Sequence, residues 1–100
     1  MGTARLLLRG EMIAELIDVS PDMPWFEARF VEKDGFSEVA SLFREERDLL
    51  DSADFDVAAW ESVWERIRER GVTLALADGT HIDRDFAMHV YDDGTTRLGY

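Results

Sequence analysis

Apolar and polar positions alternate through much of the first third of the chain. Ala4 to Leu8, a turn at Arg9-Gly10, and Glu11 to Val19 read as a β-hairpin. The second arm also fits a helical stripe through Met12, Ile13, Leu16 and Ile17. Strand is preferred because Ile13, Ile17 and Val19 share one parity and the arm starts just after a glycine turn. Within Ser20-Pro21-Asp22-Met23-Pro24, two prolines rule out a continuous helix or a central strand. Trp25 to Glu32 then alternates again, with Phe26, Ala28 and Phe30 on one face and Trp25, Glu27, Arg29 and Val31 on the other. That is the pattern of a half-buried strand.

The period then changes to that of helices. Asp34-Gly35 opens a first helix whose stripe is Phe36, Val39, Ala40, Phe43 and Leu50, widened by Leu42 and Leu49 and fading near Asp51-Ser52. A second helix starts at Asp54 or Asp56, either of which can cap it and complement its dipole. Its seam is Val57, Trp60, Trp64 and Ile67. Arg66, Arg68 and Arg70 followed by Gly71 and apolar Val72 form a Schellman-type stop. Val72, Leu74 and Leu76 alternate into a strand broken at Asp78-Gly79. Phe86, Met88 and Val90 make the next. After Asp93-Gly94, Thr96, Leu98 and Tyr100 share the face of a last one. The order β-β-β-α-α-β-β-β predicts an α+β fold, an antiparallel sheet with a two-helix hairpin on one face.

Length sets the frame for this pattern. One hundred residues make one domain, residues 1–100, able to bury roughly 60–65% of the unfolded chain's surface. With 46% apolar residues it needs no staples, and the absence of cysteine excludes disulfides and thiolate metal sites. No apolar run approaches the ~20 residues of a membrane span. Leu6-Leu7-Leu8 is too short for a signal peptide, so the expected location is cytoplasmic. Twenty-two acids against eleven bases give a net charge of −11, which argues against nucleic-acid and anionic-membrane surfaces.

Met23-Pro24-Trp25-Phe26, then Phe30, Phe36, Val39 and Leu42-Phe43, with Trp60, the Arg70-Gly71 stop and Asp85-Phe86 to Val90, form a packing signature. In these residues the chain resembles a group of small uncharacterised bacterial proteins. The resemblance covers most of the chain and implies a fold, with no activity, cofactor or catalytic residue attached.

Three features compete as sites. The first runs from Asp78 to His89. If it were one strand, His81, Asp83, Asp85 and His89 would line one face and offer metal-ligand types. The Asp78-Gly79 turn opposes this, and His81 to His89 would span about 26 Å of strand, too far for one ion without a fold-back. No cofactor is expected. Nor is an enzyme: Ser20, Ser37, Ser41, Ser52 and Ser62 lie in no glycine elbow, and no glycine-rich phosphate cradle exists. The second feature is Trp25, on the opposite strand face from Phe26 and Phe30. It is either a partner anchor or a plug at one end of the core.

The third is an acidic stretch in which Glu45, Glu46, Asp48, Asp51, Asp54 and Asp56 surround a single base, Arg47. Its carboxylates at the end of the first helix oppose the helix dipole, a local cost that invites a functional explanation beside simple solvation. Size and charge together are similar to those of bacterial immunity proteins and antitoxins. The expected function is therefore a non-catalytic interaction protein with a basic protein partner. A small-ligand or metal-binding domain around His81 to His89, and a homo-oligomeric accessory domain using a sheet face, are the alternatives. A homodimer belongs to the last.

Overall fold

The structure is a computed structural model that describes residues 2–22, 25–84 and 86–99. Strand β1 (Gly2–Leu8) turns at Arg9 and Gly10, both with positive φ, into β2 (Glu11–Asp22). Two residues with positive φ suit the right-handed twist of a two-residue hairpin. Strand β3 (Trp25–Glu32) leads through a 3-10 turn (Asp34–Glu38) into α1 (Ala40–Asp51) and α2 (Val57–Glu69). Strands β4 (Val72–Ala75), β5 (His81–Ile82), β6 (Ala87–Val90) and β7 (Thr95–Gly99) follow. All pair antiparallel in one seven-stranded sheet of order β5-β4-β1-β2-β3-β7-β6. The α+β class and the β-β-β-α-α-β-β-β order are as expected. The strand order and the two-residue β5 are additions.

The curled sheet holds the helix pair on one face, with α1 against edge strand β6 and α2 against β4. Ala4, Leu6, Leu16, Ala28, Leu74, Met88 and Leu98 form the sheet side of the core. Phe36, Val39, Phe43, Val63, Trp64 and Ile67 cover them. A ladder of rings runs through it. Phe30 to Phe36, Phe36 to Phe43, Phe43 to Trp64 and Trp64 to Phe86 lie 4.9, 5.6, 5.9 and 5.8 Å apart, tilted or edge-on as ring quadrupoles prefer.

Several local expectations are corrected. β2 runs through Pro21, which pairs opposite Phe26. Among the described residues Val19 is the last of β2 to pair with β1, and beyond it no described strand residue needs the N–H that Pro21 lacks. Parity along β2 also breaks twice. The register slips between Leu6 and Leu7 leave Ile13 as a bulge, and those flanking Asp18 (φ 58) make a second. Ile13, Ala14 and Leu16 are therefore all buried. Asp34-Gly35 opens a 3-10 turn before α1, and Ile13 packs so tightly on Gly35 that a Cβ there would lie 2.7 Å from its Cγ2. Val57 is 54% exposed, and the α2 seam is completed by Val63 instead. Tyr100 lies outside the described residues.

The Asp-Gly turns are stapled by their own side chains. Asp93 accepts hydrogen bonds from the Thr95 hydroxyl at 2.6 Å and the Thr95 N–H at 3.0 Å. The hydroxyl first, then the backbone N–H, hold the Asp93 carboxyl below the usual carboxylate range. A depressed folded pKa contributes stability above the unfolded value and loses it as pH falls through the folded one. Asp93→Asn is thus expected to narrow the stability difference from wild type as pH drops from about 5 toward 2. Urea unfolding at both ends of that range measures it, and a pH-independent difference would contradict the linkage.

Candidate functional site

α1 buries one stripe, and a charged residue lies on it. Val39, Phe43, Glu46 and Leu50 recur at helical spacing, so Glu46 faces inward with Phe43, and it is 0% exposed. Its Oε2 accepts the indole N–H of Trp60 from α2 at 2.8 Å and meets Nδ1 of His89 from β6 at 2.7 Å. The Trp25 ring centroid lies 5.0 Å from that of His89, and the indole packs against Gly99. Thr96 donates its hydroxyl to the His89 carbonyl at 2.8 Å. One carboxylate thereby ties α1, α2 and β6 together. Its other oxygen, Oε1, is buried with no partner among the described residues.

Glu46 is thus a correction to the acidic surface, because its place in the apolar stripe removes it from solvent. The signal was present: Glu46 stands three residues after Phe43 and four before Leu50. Trp25 is half-buried, held by Gly99 and His89.

The fold separates the two histidines. β5 carries His81 and β6 carries His89, and these strands are the opposite edges of the sheet. Asp83 is exposed between them, and Asp85 lies outside the described residues. Among the described residues no three His, Asp or Glu side chains group as metal ligands. Strand order decides this, and it is not encoded in any local pattern.

The rest of the acidic stretch surrounds the corner between α1 and α2. Glu45 pairs with Arg66, and Asp56 caps α2 by accepting the Ala59 N–H at 3.2 Å. Arg47 bonds to Asp92. That bond, with the nearby charges of Asp92, Asp48 and Asp51, raises the guanidinium's pKa further against a smaller burial penalty. Asp48, Asp51 and Asp54 are exposed, and their carboxylates form no hydrogen bond or ion pair among the described residues. Between them and the α2 cap, Phe55 is 44% exposed, its ring 6.4 Å from Trp60, and just past the cap Val57 is 54% exposed. Phe55 carries no periodic signal in the sequence, because it belongs to neither helical stripe. No helix is long and apolar enough to cross a membrane among the described residues. Comparison with family models, curated proteins and solved structures finds no match to this chain.

Proposed function

We propose that the chain is a non-catalytic interaction protein that binds a basic protein partner through the α1–α2 corner, in the manner of an immunity protein or antitoxin. The observation that carries this reading is the pair Phe55 and Val57, large apolar side chains held in water in the same corner as the exposed carboxylates of Asp48, Asp51 and Asp54, which form no ion pair among the described residues. An apolar centre with a charged rim is the anatomy of a protein interface. The rim steers a basic surface into encounter, and the apolar pair supplies contact once water leaves. The dipole-opposing carboxylates at the end of α1 find their use here, since a cationic partner neutralises them.

The test is a differential capture from the source cells. Wild-type chain and a Phe55→Ser, Asp48→Asn, Asp51→Asn, Asp54→Asn variant are immobilised side by side. A basic protein is expected on the wild type alone, with an association rate that falls steeply as salt rises through ~0.15 M. Equal retention by both chains, or binding indifferent to salt, would refute the reading.

A further inference from the structure

The face of the sheet turned away from the helices has a composition unlike the rest of the molecule. Register places Arg5, Glu15 and Val31 in one cross-strand row, Leu7 beside Met12 in a second, and Ile17 beside Arg29 in a third. Glu27, Arg97 and His89 form a fourth, which Glu46 of α1 meets only at the β6 edge. Among the described residues of this face, Arg5 and Arg29 stand near Glu15, which also pairs with Lys33 at 3.1 Å, and Arg97 stands opposite Glu27. Bases hold their own there, in a chain whose net charge is −11. Leu7, Ile17 and Val31 are half-buried, and Met12 is 40% exposed.

We propose that a second copy of this chain docks on this outer sheet face, centred on Leu7, Ile17 and Val31. Charge selects both surface and occupant. Two chains of −11 repel wherever their acids meet, and close approach is favourable only where each surface offers both signs in alternating rows. A two-fold axis through such a face sets arginine of one copy against glutamate of the other. Size permits it. Seven strands at about 4.8 Å spacing span roughly 29 Å, and the molecule measures 37 × 29 × 24 Å. A face of that breadth can supply the roughly 800 Å² per partner of a standard interface. The sheet edges are closed to the same role, since β5 is two residues long and α1 packs on β6.

Sedimentation or light scattering over about 5–500 µM, at ~0.3 M salt to screen the mutual repulsion, reads the outcome. The mass is expected to rise from that of one 11.5 kDa chain to twice that value. Arg5→Glu with Arg29→Glu reverses the sign of the face and should hold the chain at monomer mass with its far-UV spectrum unchanged. Arg29→Glu alone, at an exposed position, is the second variant should the pair fail to fold. The Asp48→Asn, Asp51→Asn, Asp54→Asn chain should dimerise like wild type, which separates this face from the α1–α2 corner. A wild type monomeric throughout, a folded arginine variant that still dimerises, or a dimer lost in the aspartate variant would each overturn the proposal. A monomer that gains mass only with an added acidic protein would also overturn it.

Discussion

Replacing Glu46 by alanine is expected to lower stability by roughly 3–5 kcal/mol. The substitution leaves the Trp60 N–H and the His89 Nδ1 without the oxygen they share, and both lie in or beside the core. It also empties the space of one methylene and a carboxylate in a fully buried position. In a domain of this size each kcal/mol moves the melting midpoint by about 4–8 °C, so the loss is large on any thermal scan. Glu46→Gln should cost less, since the amide oxygen can take the position of Oε2 and meet both partners. Its NH2 would then occupy the position of Oε1, where no acceptor stands among the described residues, so rescue is partial. Tryptophan emission should shift to the red in Glu46→Ala, as Trp60 loses its anchor. If Glu46→Ala melts within about 1 kcal/mol of wild type with unchanged emission, the carboxylate is not the hub described here.

Gly99→Val is expected to destabilise by about 1–3 kcal/mol, although valine is the better strand former. A Cβ at Gly99 would stand 2.6 Å from Cζ3 and 2.8 Å from Cε3 of Trp25, well inside van der Waals contact with a rigid ring. The indole must leave the strand. His89, 8% exposed beneath it, then loses its cover. Coupling to Trp25 gives the claim a sharper form. In a double-mutant cycle with Trp25→Ala, the cost of Gly99→Val should shrink, because the ring it collides with is gone. Additive costs would show that the strand, and not the indole, resents the side chain.

Much of the secondary structure could be read locally. The α2 cap at Asp56, the stop at Gly71 (φ 90) and the turns at Gly79 (φ 92) and Gly94 (φ 86) are each specified by one or two residues. The alternation of Val72 and Leu74, or of Thr96 and Leu98, marks a strand because one face must leave water. Where local reading failed, a neighbour distant in sequence had intervened. Simple alternation puts Ile13 in parity with Ile17, and the slip against β1 sends it inward to Gly35. Pro21 reads as a breaker until β2 is seen to outrun β1.

The candidate sites divide the same way. Sequence alone determined the class of the fold, the helical corner, its carboxylates and the chain's strong negative charge, because periodicity, caps and charge are properties of short segments. Tertiary structure alone decided which of those carboxylates matter and how. It turned Glu46 inward to Trp60 and His89, 14 and 43 residues away, and it set His81 and His89 on opposite edges. It also left Phe55 and Val57 in water in the same corner as Asp48, Asp51 and Asp54. The physical reason is that a carboxylate's role depends on what desolvates it. Desolvation comes from strand order and helix docking, which no window of ten residues contains.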